Sequence, residues 1–196
     1  MNEKLYTALF AVCESENTIY SKKPLTGVFH DNGNLVASDS AILAVVNTVF
    51  PESLNGKIYN LSGAEIEYKY PSYRCLIPAN TIKLDLEIED LKKIVRNVPL
   101  KKEKFSNYLE IGKATIELTR IKKMLSIFRS IKEAPEVFQK ETKHLGVLTL
   151  FESKIAKVLI ISTPKLPDEL KDHLYTFEDA IKYEKIKTKK WFESVV

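Results

Sequence analysis

The sequence predicts an α+β fold of amphipathic helices and antiparallel sheets, with a helical extension at the C-terminal end. Three observations predict it. Asp31-Asn32-Gly33-Asn34 separates two β-prone runs, and Asn-Gly is the strongest short hairpin signal because both residues tolerate positive φ. Residues 145–151 and 155–162 are two further apolar runs joined by Glu152-Ser153-Lys154, a second hairpin. Leu118, Ile121, Met124, Leu125, Phe128 and Ile131 recur at helical spacing, the clearest amphipathic stripe in the chain.

The remaining elements follow in order. Leu5, Ala8, Leu9 and Val12 predict an amphipathic helix over 3–14. A polar connection over 15–23 leads into a meander: Val28-Phe29, then Leu35-Val36-Ala37, then the strand 42–46. Its second turn is Ser38-Asp39-Ser40, residues whose side chains bond nearby backbone N–H groups. Phe50-Pro51 to Asn55-Gly56 reads as a loop, since the residue before proline resists helix. Ile58-Tyr59 and Glu65-Ile66-Glu67-Tyr68 predict a hairpin around Ser62-Gly63. Ile82, Leu84, Leu86 and Ile88 alternate with Lys83, Asp85 and Glu87, the pattern of a strand with one buried face. The period then changes, and Ile88, Leu91, Ile94, Val95 and Val98 predict a helix that stops before Pro99. A basic loop over 101–104, short strands at 108–111 and at Val137-Phe138, and the stripe from Leu118 complete this part. The unit closes at Thr163-Pro164, so residues 1–164 are expected to form one α+β domain. Residues 165–196 are an expected helical extension, with Leu170, Leu174, Phe177 and Ile181 on one face and a basic tail from Lys185 to Lys190.

Composition bounds the function. A chain of 196 residues, 44% hydrophobic and 29% charged, has the balance of a globular domain with a real core. Cys13 and Cys75 sit among apolar residues at no metal or redox spacing, which predicts buried reduced thiols and a cytoplasmic setting. The apolar run 5–13 has the single basic flank Lys4 and no small-x-small cleavage site, so it is read as helix rather than leader. Nothing approaches the roughly 20 apolar residues of a membrane span, and no membrane partner is expected. The net charge of +4 divides unevenly: residues 1–100 carry −2 and residues 101–196 carry +6. That permits an anionic partner without requiring one.

Catalytic chemistry finds few residues. His30, His144 and His173 are scattered, with no partner at ligand spacing. There is no glycine-rich phosphate loop and no nucleophile elbow. Asp85, Glu87, Glu89 and Asp90 resemble the solvated side of a strand more than a divalent-cation site, which needs ligands converging from several elements. No catalytic residue, metal ligand or cofactor is expected. Basic side chains are better represented: Lys92, Lys93 and Arg96 lie on one predicted helix, and Arg120, Lys122, Lys123, Arg129 and Lys132 on another. Their plainest role is the wet face of an amphipathic helix.

Two phrases add a family resemblance. Pro24-Leu25-Thr26-Gly27-Val28, followed by Ala37-Ser38-Asp39-Ser40-Ala41-Ile42-Leu43-Ala44, resembles a Pro-x-Leu-x-Gly-Val run leading through a hairpin into Ala-Thr-Asp-Gly-x-Arg-Leu-Ala. Tyr70-Pro71-Ser72-Tyr73-Arg74-Cys75-Leu76-Ile77-Pro78 resembles Phe-Pro-Asp-Tyr-Arg followed closely by Ile-Pro. Both phrases belong to the sliding clamps of bacterial and phage replication, the DNA polymerase III β subunit family. Ile42 stands where that family's phrase has arginine, and the two phrases lie closer together than in a full clamp domain.

The resemblance implies a DNA-clamp-like fold and a non-enzymatic module of DNA replication, of phage or mobile-element kind. It implies that the two main helices pack side by side with the sheets outside. Tyr73 and Arg74 would lie near the inner face, where they could stack on or pair with a strand. The ten candidate DNA-binding residues are then Tyr73, Arg74, Lys92, Lys93, Arg96, Arg120, Lys122, Lys123, Arg129 and Lys132. The implied partners are duplex or single-stranded DNA without sequence preference, a polymerase or other replication proteins, and further copies of the chain, since one domain cannot encircle DNA. The main alternative is a clamp-fold interaction module that binds no DNA. A third is an enzyme whose site is assembled from positions the sequence does not flag.

Overall fold

The computed structural model describes residues 2–15, 22–97, 107–162 and 174–176. Helix α1 (Glu3–Phe10) starts at Asn2, whose side chain accepts a hydrogen bond from the Leu5 N–H, and it buries Leu5, Ala8 and Leu9. Strand β1 (Val28–Asp31) turns into β2 (Asn34–Ser38) through Asn32 and Gly33, at φ 47° and 78°. Both central residues are left-handed, the geometry that matches the twist of the flanking strands. The next turn is held by Asp39, whose Oδ1 accepts from the backbone N–H of Ala41 (3.0 Å) and Ile42 (2.9 Å), and the chain returns as β3 (Ile42–Asn47). Then come β4 (Ile58–Tyr59), β5 (Ile82–Leu84), α2 (Ile88–Asn97), β6 (Tyr108–Ile111) and β7 (Ala114–Glu117). Helix α3 (Leu118–Ile131) leads into a second meander: β8 (Glu136–Thr142), β9 (Gly146–Glu152) and β10 (Ala156–Ile161). A two-residue strand, β11 (Leu174–Tyr175), ends the described chain.

The chain therefore contains two helix-plus-meander units, α1 with β1–β3 and α3 with β8–β10. Their last strands, β3 and β10, pair antiparallel and fuse the meanders into one eight-stranded sheet of order β4-β1-β2-β3-β10-β9-β8-β5. A three-stranded sheet, β11-β6-β7, stands beside it. The helices pack against one sheet face, with α3 along both α1 and α2. The connection 60–81 runs from edge strand β4 to edge strand β5 and lays Ile66, Tyr70, Tyr73 and Ile77 on the other face, against Val36, Leu43, Leu150 and Leu159. Central strands covered on both faces explain the near-continuous apolar runs of β2, β3, β9 and β10.

Gly27 of the first phrase has a packing reason. A Cβ there would lie 2.6 Å from the Tyr59 carbonyl oxygen and 2.8 Å from Ile58 and Ile66 side-chain atoms. Only glycine lets the chain pass β4 this closely. Gly27→Ala is expected to cost about 1–3 kcal/mol, the usual range for overpacking, read from urea denaturation midpoints.

Several expectations are corrected. The alternating segment 82–88 is not one half-buried strand: β5 is three residues long, Ile82 is 73% exposed, and Ile88 begins α2. At a sheet edge the cover ends, so alternation alone does not secure a buried face. The hairpin expected over 58–68 is reduced to β4 and a single bridge between Tyr59 and Glu65. Strand β7 was not foreseen; it pairs with β6 immediately before α3. Cys13 is half-buried, and burial pushes its thiol up to about 12, whereas Cys75 is exposed rather than buried.

The expected helix face at Leu174 is also corrected: Leu174–Tyr175 pairs parallel with β6, opposite Tyr108 and Leu109. An open β6 edge offers backbone hydrogen bonds, and Tyr175 enters the main core. Leu170, Phe177, Ile181, His173 and the basic tail lie outside the described residues, as do the basic loop 101–104, Val98 and Pro99. Truncation after Pro164 removes Tyr175 from the core and is expected to lower the melting temperature; an unchanged value would show that β11 contributes nothing.

Candidate nucleic-acid interface

The helical period decides which basic residues face outward. In α2, Ile88, Leu91 and Ile94 turn into the core, leaving Lys92, Lys93 and Arg96 on the outer arc. In α3, Leu118, Ile121, Met124, Leu125, Ile127 and Phe128 are buried, and the basic residues occupy the edges of that stripe. Because α2 lies along α3, the two arcs meet. Lys92, Val95 and Arg96 form one wall of a cleft of about 270 Å³, with Lys122, Leu125, Ser126 and Arg129 as the other. A second hollow of about 370 Å³ shares Lys92, Arg96 and Arg129 with it and extends the groove to Lys132, past Glu89 and Glu133.

The groove's charge is net positive but not uniform. Lys92 pairs with Glu89 and Lys93 with Asp90, one turn away on α2. The Lys92 ammonium holds the Glu89 carboxyl below its ordinary range. Arg96, Lys122 and Arg129 make no ion pair with a described residue, so three cations converge on one cleft. Such spacing suits a chain of phosphates, which asks for several loosely held positive charges rather than one shaped pocket.

The structure does not bring all ten candidates together. Arg120 pairs with Glu117 at 3.6 Å, and Lys123 with Asp39 at 3.1 Å, so both are engaged away from the cleft. Tyr73 and Arg74 lie across the sheet from the helices. Tyr73 is 6% exposed in the outer cluster, and its hydroxyl donates to Asp31 Oδ2 at 2.6 Å. Arg74 reaches the same oxygen at 2.9 Å. Tyr73 therefore presents no open ring for a base, and its stacking role is corrected. Burial works to raise the Asp31 carboxyl, but hydrogen bonds from Tyr73 and Arg74 outweigh it and hold the group below the usual range. With its folded pKa depressed, Asp31 adds stability that is present above the unfolded value of about 3.9 and lost as pH falls through the folded value. Asp31→Asn is expected to cost about 1–3 kcal/mol at pH 7, and the cost should shrink at pH 3, as urea melts at the two pH values will show.

Ile42, in place of the motif arginine, is 1% exposed and sits in the main core. It faces neither DNA nor an interface. Asp39 had a legible signal as a turn residue, but its tie to α3 through Lys123 did not, since 84 positions separate the two. His30, which the sequence left without a partner, bonds the Tyr6 hydroxyl through Nε2 at 2.7 Å. Among the described residues, no group of three or more His, Cys, Asp or Glu could hold a metal ion. No described helix is long and apolar enough to cross a membrane.

No protein-family model matches the chain, and no curated protein matches it in sequence. Solved structures do match in shape. The DNA polymerase III β subunit of Thermotoga maritima superposes with a TM-score of 0.54 at 13% identity, over 85% of this chain and 64% of that one. The β subunit of Caulobacter crescentus gives 0.55 at 16%, over 82% and 63%. A Helicobacter pylori β clamp, solved bound to a DNA ligase peptide, gives 0.53 at 14%, over 82% and 62%. The chain thus spans less than two thirds of the length of these relatives. Two helix-plus-meander units share one antiparallel sheet with their helices side by side on one face, and by that architecture the chain has the sliding-clamp fold.

Proposed function

We propose that this chain is a non-enzymatic, sliding-clamp-like module of DNA replication that binds DNA without sequence preference through the groove between α2 and α3. The observation that carries the reading is the convergence of Arg96, Lys122 and Arg129, with Lys92 and Lys132 beside them, on one helical face. On this reading residues 1–164 form the clamp-like unit, several copies associate around the duplex, and a polymerase or another replication protein is the partner. The setting is the cytoplasm, where DNA and those partners meet. Titration of labelled duplex and single-stranded DNA tests it. Binding should be weak, indifferent to sequence and steeply reduced by salt, because counterion release at phosphates supplies the energy. No binding at about 100 μM protein at low salt would remove DNA from the reading, since non-specific binders usually fall within that range even at physiological salt.

A second reading, a clamp-fold interaction module that binds no DNA, is favoured by the exposed apolar side chains Val49, Leu61 and Ile82. It would take precedence if that titration fails. Mass measured in solution with and without duplex DNA separates a DNA-driven assembly from one that forms alone.

A further inference from the structure

A separate site lies at the outer side of α1. The Tyr6, Phe10 and Tyr59 rings border an open cavity of about 540 Å³ that His30 also lines. The rings form one connected cluster: Tyr6 and Phe10 have centroids 6.3 Å apart, Tyr6 and His30 6.0 Å, and His30 and Tyr59 5.4 Å at right angles. Glu3 stands in the lining, and among the described residues no lysine or arginine does. Lys57, whose ammonium interacts with the Tyr59 side chain, is tied chiefly to Glu65 at 3.0 Å. Burial holds His30 toward its neutral form, so it brings no positive charge to the cavity at neutral pH. Leu54 and Leu61 extend the lining, and Leu61 is 74% exposed.

In a chain whose net charge is +4, a hollow lined by aromatic rings and one carboxylate is complementary to a cation. Ring faces attract a guanidinium or ammonium through the π quadrupole, and the carboxylate adds direct attraction. The volume exceeds one side chain, and the exposed leucine beside it offers a further apolar contact. We propose that this cavity is a docking site for a peptide segment of a partner protein, with an arginine side chain seated among Tyr6, Phe10 and Tyr59 and a neighbouring apolar residue on Leu54 and Leu61. The site is across α1 from the helix pair that carries the basic groove and does not depend on DNA binding.

The test uses two capped tripeptides, acetyl-Leu-Arg-Leu-amide and the same peptide with citrulline, which keeps the shape of arginine without its charge. Each is titrated into the full chain with backbone amide shifts as the readout. The arginine peptide is expected to move the resonances of Tyr6, Phe10, Asn60 and Gly63, and to bind roughly 3- to 30-fold more tightly than the citrulline peptide. Tyr59→Leu, which keeps apolar bulk but removes one of the three rings, should narrow the difference between the two peptides without abolishing it, since Glu3, Tyr6 and Phe10 remain. Glu3→Gln, at an exposed position that does not threaten folding, should weaken the arginine peptide alone. Equal binding of the two peptides to the native chain, shifts confined to another surface, no shifts at millimolar peptide, or an unaffected Glu3→Gln variant would each overturn the proposal.

Discussion

Phe151→Ala is expected to destabilise the chain by about 3–5 kcal/mol, the range for truncating a fully buried aromatic side chain. Phe151 is completely buried on β9 and packs in the main core with the helices. It occupies a central strand of the fused sheet, between β10 and β8, so the cavity left behind has little freedom to collapse. At roughly 2–4 °C per kcal/mol for a domain of this size, the melting temperature should fall by about 6–20 °C. Ile82→Ala is the matching control. Ile82 is also apolar and in a strand, but it is exposed at the sheet edge and should cost within about 0.5 kcal/mol. Equal losses from the two substitutions would contradict the layer arrangement, because only one of these side chains leaves water on folding.

Replacing Arg96, Lys122 and Arg129 together by Gln is expected to lower the salt dependence of DNA binding by about 2.7 units, if each neutralises one phosphate at about 0.9 units apiece. Extrapolated from a 1 M reference, the same loss weakens binding about 500-fold at 0.1 M salt. All three are set at the cleft between α2 and α3, so the substitutions spare the core contacts of both helices. Lys83, Lys113 and Lys157 serve as the comparison: each is paired with a glutamate and stands outside the groove. Their triple Gln variant should leave the slope nearly unchanged. Parallel losses from both triple variants would mean that binding follows overall charge and not this groove. A slope unchanged by the groove substitutions would move the interface elsewhere, first to the face of α3 that carries Arg120 and Lys123.

The two phrases that carried the family resemblance illustrate how much was legible. Asp39 and the Asn32-Gly33 turn hold their places for local reasons, a side-chain cap on a turn and positive φ, whereas Gly27 answers to Ile58, Tyr59 and Ile66, more than 30 positions away. Local causes act over a few residues and can be read from a few residues. Tyr73 and Arg74 are different. Their partner Asp31 is more than 40 positions away, and their place on the outer face follows from the path of 60–81 across the sheet. The same phrase would read identically if that segment ran along the helices.

What the sequence by itself determined was the set of main elements: α1, both meanders, α2 and α3. The helices are encoded by a period of apolar residues buried on one side, and the central meander strands by short apolar runs bounded by turn residues. Period 3.6 also determined that Lys92, Arg96, Lys122 and Arg129 would face outward. Only the tertiary structure decided what they face. The packing of α2 along α3 brings Arg96, Lys122 and Arg129 to one cleft, while Lys123, one residue from Lys122, is carried round to Asp39. Strand β11 was likewise decided at long range, by an open edge on β6 and room for Tyr175 in the core. The physical reason is common to both cases: periodicity specifies which side of an element avoids water, and the neighbour that covers that side is chosen by contacts between residues far apart in the chain.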